Sequence, residues 1–227
     1  MQPYFLPYIG YFQLMNAVDK FVIYDDVNYI NKGWINRNNI LINGKANLFS
    51  IPLKDASQNK LINEIYIAEE SKWRNKLLKT IELSYKKAPF FEMTYPLVER
   101  IINQDASKIS DYIYYSISMV NSYLGIKTDI VSSSAQYKNA QYRAQARIID
   151  ICLIEGATAY VNPIGGTDLY DKQNFMDRNL EMYFIKPKEI SYSQFDNKFI
   201  PWLSILDVMM FNSKERIADL LDQCEYL

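Results

Sequence analysis

A chain of 227 residues in which 49% are hydrophobic is sized for one domain, residues 1–227, with apolar mass enough for its own core. Its 25 basic and 26 acidic residues are mixed along the chain and leave a net charge of −1, so there is no electrostatic footprint for nonspecific nucleic-acid binding. Histidine is absent, Cys152 and Cys224 stand far apart without metal spacing, and there is neither a charged-then-apolar leader nor an apolar run of about 18 residues. Transition-metal sites and membrane insertion are therefore set aside, and a cytoplasmic protein is expected.

In chain order, Gln2 to Gly10 holds two prolines and a glycine ahead of an amphipathic run from Tyr11 to Val18, which predicts a short strand, a stiff turn and a helix start. Lys20 to Asp26 is an apolar run of strand length ending in two adjacent carboxylates. The unit reads strand, loop, helix, strand, and in open α/β sheets ligands gather where strands end in loops. Val27 to Asn39 is too polar and glycine-marked for a regular element, and it carries Trp34, Asn36, Arg37 and Asn38. Loops with large aromatics and arginine are candidates for ligand contact.

Ile40 to Leu53 predicts a hairpin turning at Asn43 and Gly44. Lys54 to Lys60 is a polar loop, and Ile62 to Ile67 alternates like a strand. A helical middle follows: Ser71 to Lys87 with Ser71 as N-cap, Phe90 to Asn103, and Ser107 to Leu124 closed by Gly125. Thr128 to Val131 is a short strand before the run Ser132 to Ser134, a capping or phosphate-binding segment. Ala140 to Glu155 predicts a helix closed by Gly156, with Ile148, Ile151, Cys152 and Ile154 inward and Arg143, Arg147 and Asp150 on the other side; Arg147 with Asp150 reads as a surface pair, and an inward turn at the sheet's edge would make Arg147 a site residue. Thr158 to Val161 leads as a strand into Asn162 to Tyr170, where two of the seven glycines stand side by side. Leu180 to Ile185 is the next strand, and Phe199 to Leu227 reads as two helices around Asn212 and Ser213.

The expected fold is α/β: a small mixed, mainly parallel sheet of the HUP or Rossmann-like kind, with a hairpin insertion, a helical middle and a C-terminal helical pair. A site is expected where the Gln2 to Gly10 turn, the Asp25 to Asn38 loop and the Asn162 to Tyr170 loop meet. Asp26 or Asp25 would act as general base, since a strand end holds a carboxylate rigidly and a neighbouring like charge raises its pKa; because strand side chains alternate, at most one of the two faces a pocket. Arg37 offers a planar fork for phosphate or carboxylate between the amides of Asn36 and Asn38, beside Trp34 for stacking; the competing reading pairs Arg37 with Asp25 or Asp26. Asn162, Gly165 and Gly166 could form an anion-binding nest, or a plain tight turn. Cys152 on an apolar helical face reads as a buried, inert thiol. Most of the 19 tyrosines read as half-buried packing residues. No cofactor is expected to be held permanently, and magnesium would enter only with the phosphates of a substrate.

The blocks QPYFLPYIGYFQL, VDKFVIYDDVNYINKGWINRN, ATAYVNPIGGTDLYDKQNF and PWLSILDVMMFN span nearly the whole chain, and together they resemble the WbqC-like protein family of bacterial surface-polysaccharide gene clusters. The resemblance implies a cytoplasmic role in O-antigen or related glycan biosynthesis: acyl or aminoacyl (glycyl) transfer to a nucleotide-linked amino sugar. Substrate contact is expected from Gln2, Tyr4, Tyr8, Gly10 and Tyr11, from Trp34, Asn36, Arg37 and Asn38, and from Asn162, Gly165, Gly166 and Tyr170, because loops that follow successive parallel strands emerge on one edge of a sheet; the resemblance adds weight to the Arg37 loop. The alternative is a non-catalytic sugar-nucleotide or glycan-binding subunit; a homodimer is open in either case. Relatives carry a few apolar residues before the Gln-Pro pair, so the first strand is expected to be cut short at Met1. Tyr8 to Tyr11 also occupies the place of the His-x-Gly-His signature of nucleotidylyl transferases, but without its histidines.

Overall fold

The structure is a computed structural model, and it describes residues 1–68, 72–196 and 198–227. The first helix, α1 (Ile9–Asn16), sits at the centre and has Ile9 to Met15 buried. A helix apolar on nearly every side belongs inside a core. The chain enters it through Tyr8, whose ring folds over Gly10; a Cβ there would lie 2.3 Å from that ring. A side chain there would have to push that ring aside.

Strand β1 (Lys20–Val22) pairs in parallel with β6 (Asp129–Val131), Phe21 opposite Ile130. The ladder continues as Ile23 N–H donates to the Val131 carbonyl (3.0 Å) and Ser134 N–H to the Ile23 carbonyl (2.8 Å). On the other edge Met1 N donates to Val22 O and Tyr24 N to Met1 O, both at 2.8 Å. The predicted Gln2-Pro3 strand reduces to this one residue. Pro3 and Pro7 have no N–H to give a ladder, and the stretch serves instead as a strap: Phe5 N–H bonds Ile35 O at 3.0 Å.

The hairpin forms as predicted, β2 (Arg37–Ile42) against β3 (Lys45–Ser50), with Asn43 and Gly44 both at positive φ, 51° and 70°. Left-handed dihedrals at both turn residues match the twist of the flanking strands. The strand begins at Arg37, three residues earlier than the sequence pattern indicates. The predicted strand at Ile62 to Ile67 is a 3-10 turn (Ile62–Glu64), held by the Glu64 carboxylate on Leu61 N–H at 2.9 Å, and then a two-residue β5 (Tyr66–Ile67) beside β4 (Leu53–Lys54).

Three helices form the middle, α2 (Trp73–Tyr85), α3 (Phe91–Ile102) and α4 (Ile109–Leu124), the last ended by Gly125 at φ 75°. The predicted cap Ser71 lies outside the described residues. Helix α5 (Ala144–Ile154) precedes β7 (Ala159–Pro163), a 3-10 turn (Ile164–Leu169), α6 (Lys172–Met176) and β8 (Glu181–Pro187); β7 and β8 are parallel, Val161 opposite Tyr183. The C-terminal pair is α7 (Ile205–Phe211) and α8 (Lys214–Leu221), with Ser213 Oγ accepting from Arg216 N–H. A further strand, β9 (Cys224–Tyr226), runs antiparallel to β8.

The continuous Rossmann-like sheet is therefore not formed. Among the described residues the two parallel pairs, β1–β6 and β7–β8, share no ladder bonds with one another, and the other pairs, β8–β9 included, are antiparallel. The apolar interior divides in the same way. A large core surrounds α1, and a small one of Ile149, Cys152, Phe175, Leu180, Met182 and Phe184 lies behind β7 and β8. No helix among the described residues is long and apolar enough to cross a membrane.

Candidate functional site

The carboxyl ends of β1 and β6 meet in a compact polar cluster. Asp25 is buried, 2% exposed, and its Oδ1 accepts from Ser133 Oγ at 2.6 Å while its N–H donates to Ser134 Oγ at 3.2 Å. The next carboxylate, in the bend that follows β1, has other partners. Asp26 accepts from Ser134 Oγ and pairs with the Arg147 guanidinium. Ser133 and Ser134 are thus spent on these carboxylates, and Ser133 also caps the following turn by accepting from Ala135 N–H.

Arg147 is 4% exposed. The sequence reads it as a surface pair with Asp150 or, with an inward turn, at the sheet's edge; in the structure that face of α5 turns toward the end of β1. Its Nε donates to Asn139 Oδ1 at 2.9 Å, and Asn139 Nδ2 in turn holds Asp150 at 2.8 Å, so the expected arginine–aspartate pair is separated by an amide. The guanidinium also lies 5.1 Å from the centre of the Tyr24 ring. The inward face of α5 is Ile149, Ile151 and Cys152, whereas Ile154 is 57% exposed. A helix that buries a charge on one side and apolar groups on another has two inner faces, which a single apolar stripe does not reveal.

Burial dominates the electrostatics. Removal from water raises the Asp25 pKa above its ordinary 3.8 against the opposing bond from Ser133, with neighbouring Asp26 adding to the rise. Burial likewise raises Tyr24, while Arg147 pulls it back. The Cys152 thiol is pushed up to about 11 by burial, which keeps it in the unreactive form. Among the described residues no three His, Cys, Asp or Glu side chains gather as a metal site.

A groove of about 430 Å³ runs between β1 and β7, lined by Tyr24, Cys152, Tyr160, Val161 and Asn162, among others; Asp25, Asp26, Arg147 and the two serines are not on its lining, and the cluster reaches it through Tyr24, which packs on Arg147. Asn162 Oδ1 accepts from Tyr160 O–H (3.0 Å) and its Nδ2 donates to Pro163 O (3.0 Å). It covers Gly166, where a Cβ would lie 2.0 Å from Nδ2; Gly165 has open space around it. Tyr170 closes the corner, its ring 5.7 Å from Tyr160 and 6.0 Å from Phe175.

The other expected contact residues lie elsewhere. The Gln2 carbonyl accepts from Tyr11 O–H at 3.0 Å, and the Tyr4 and Tyr11 rings are 5.8 Å apart. Burial of Tyr11, with Tyr4 nearby, raises its hydroxyl well above the usual phenol range. Asn36 and Asn38 serve the backbone: Asn36 Nδ2 donates to Ile51 O (2.7 Å) and its Oδ1 accepts from Tyr29 O–H (3.0 Å), while Asn38 Nδ2 donates to Leu6 O (2.8 Å). Arg37 pairs with neither aspartate. It donates to the carbonyls of Gly33 (2.9 Å) and Lys32 and lies 5.7 Å from the Trp34 ring, itself 48% exposed. Tyr8 lines a separate cavity of about 630 Å³. Trp34, Asn36 and Arg37 line neither this cavity nor the groove. The strap and the Asp25 to Asn38 loop do meet, through Phe5 with Ile35 and Leu6 with Asn38, but as backbone bracing.

The chain is thus a mixed α/β protein built on several small sheets. The chain belongs to the WbqC-like protein family, whose model matches residues 2–219. An uncharacterized protein of Mycobacterium tuberculosis is similar at 27% identity over 227 residues, 99% of this chain and 96% of its own length. No solved structure matches the chain.

Proposed function

We propose that the chain is a transferase of surface-glycan biosynthesis that adds an acyl or aminoacyl group to a nucleotide-linked amino sugar. The observation that carries this reading is the convergence of Asp25, Asp26, Arg147 and two serine hydroxyls at the ends of parallel strands, next to Tyr24, which lines the groove between β1 and β7. The two carboxylates differ in what they can do. Asp26 is committed to Arg147 and holds that cation in place. Asp25 has no cationic partner among the described residues and a raised pKa, which suits a general base. In the transfer, the sugar's amine nitrogen bonds to the acyl carbon, the bond from that carbon to the donor's leaving heteroatom breaks, and the amine's proton passes to Asp25. Tyr24, Tyr160 and Asn162 would line the sugar, and open space at Gly165 leaves room for a phosphate near the β7 turn.

A second reading rests on the enclosure of Asp25: a carboxylate 2% exposed also suits a subunit that binds sugar nucleotides for a partner enzyme. One assay separates them. Purified protein is incubated with a UDP-linked amino sugar and an acyl-coenzyme A or aminoacyl donor, and the sugar nucleotide is weighed by mass spectrometry. Transfer predicts an added acyl mass that disappears in Asp25→Asn; saturable binding with no mass change across the donors supports the second reading, and neither binding nor turnover refutes both.

A further inference from the structure

The larger cavity lies away from the strand ends, between α1 and the chain around β8 and α7, and three of its features do not serve the fold. Gln13 lines it and is 1% exposed; its Nε2 is anchored to the carbonyls of Leu220 (2.8 Å) and Gln223 (3.0 Å), yet its Oε1 has no donor among the described residues. A buried acceptor without a partner is costly, and native structures rarely keep one without use. Trp202 is held at φ 62° with 70% of its surface exposed. A bulky residue in the left-handed region is strained, and this one gains little burial in return. Its ring instead faces Tyr8, centroids 5.7 Å apart and planes at 59°, so that two aromatic surfaces flank the cavity. Finally, Lys188 and Lys198 are on the lining, neither forms an ion pair among the described residues, and Glu189 is the one acidic neighbour on that lining.

We infer that this cavity is a binding site for a glycosyl phosphate whose sugar ring carries an amide or hydroxyl donor. The apolar face of the ring would lie against Trp202 and Tyr8, the phosphate would sit at Lys188 and Lys198, and a shift of the wall over Gln13 Oε1, which is enclosed in the unliganded chain, would bring it to the ring's donor. A volume of about 630 Å³ falls within the range of small-molecule pockets. The inference is independent of transfer at Asp25, because it concerns a different cavity and a binding readout alone.

The test uses the full chain with N-acetylglucosamine 1-phosphate, N-acetylglucosamine and inorganic phosphate, followed by calorimetry and tryptophan fluorescence. The phosphorylated sugar binds saturably, at least tenfold tighter than the free sugar. In Trp202→Gly the backbone strain is released, so the melting temperature holds or rises while affinity falls at least tenfold. The double change Lys188→Gln with Lys198→Gln weakens the phosphorylated sugar and leaves the free sugar unaffected. Gln13→Met is expected to weaken both sugars; the Trp202 variant decides if that one fails to fold. Absence of saturable binding, unchanged affinity in Trp202→Gly, or inorganic phosphate competing as well as the sugar phosphate would overturn the inference.

Discussion

Two regions of the molecule bury aspartates in opposite ways. Asp207, on α7, is 0% exposed and accepts from Tyr85 O–H (2.8 Å), Tyr192 O–H (2.8 Å) and Gln194 Nε2 (2.7 Å). Tyr85 O–H in turn accepts from Leu41 N–H at 2.8 Å, tying the hairpin to the helices. All three donors to Asp207 are neutral, and burial raises its pKa despite them. The Asp25 and Asp26 cluster has an arginine, stands at strand ends and reaches a groove only through Tyr24. Neutral donors let an enclosed carboxylate shed its charge by taking a proton, whereas a paired cation keeps a carboxylate's charge in place.

The comparison breaks most sharply at Arg147. Arg147→Ala leaves Asp26 buried and unpaired, and is expected to cost about 3–5 kcal/mol. In urea unfolding, adding Asp26→Asn should restore a large part of that loss; no recovery would show that Arg147 stabilises through packing alone.

Asp207→Asn tests the other side. The amide sets N–H against a donor, an expected cost of about 1–3 kcal/mol. Its pH signature has a definite sign. A carboxyl whose folded pKa is raised binds its proton more tightly in the folded state, so its contribution to stability grows as pH falls from above the raised value toward the ordinary 3.8. Above the folded pKa that contribution is lost. Urea midpoints at neutral pH and near the ordinary value should show a smaller acid-side gain in Asp207→Asn than in the parent. An equal gain would assign the whole effect to Asp25, which shifts in the same direction.

Ser133→Ala removes a hydroxyl that opposes the rise at Asp25. Stability should drop by about 1 kcal/mol. If Asp25 is the base of a transfer reaction, the acid limb of its pH–rate profile should move upward. A limb that stays in place would remove Asp25 from that role.

The smallest effect is expected at Arg37. Its bonds run to carbonyls of a partly exposed loop, so Arg37→Ala should change stability by about 0.5 kcal/mol or less. A loss of several kcal/mol would place it with Arg147 as a buried brace.

Local chemistry was legible wherever neighbours decide it. Asn43 with Gly44 placed the hairpin, and Gly125 and Gly156 ended their helices in the left-handed region. The sheet was not, because β1 and β6 are three residues each and their pairing depends on distant segments. Strand β9 is equally short and follows a helix, so no alternation announces it. The candidate site was half legible: Asp25 and Asp26 follow from a strand run ending in carboxylates, but the sequence left Arg147 between a surface pair and an inward role, because its partner stands 121 residues away. The bracing by Asn36 and Asn38 was hidden for a different reason. An irregular loop must satisfy its own backbone, and the amides that look ready for a ligand are used on carbonyls.

The wide spacing within the strand-edge cluster also bears on the order in which the molecule takes shape. Asp25 and Ser134 are 109 residues apart, and every intervening element must be threaded before their bond can close. The cost of such closure grows with the logarithm of the loop, and contacts this distant tend to come late in folding. The hairpin at Asn43 can close on its own, and the helical middle rests largely on neighbours in the chain. A probe at the end of β1, such as the ring of Tyr24 against Arg147, should thus report the final consolidation of the domain, trailing the signal from helix formation.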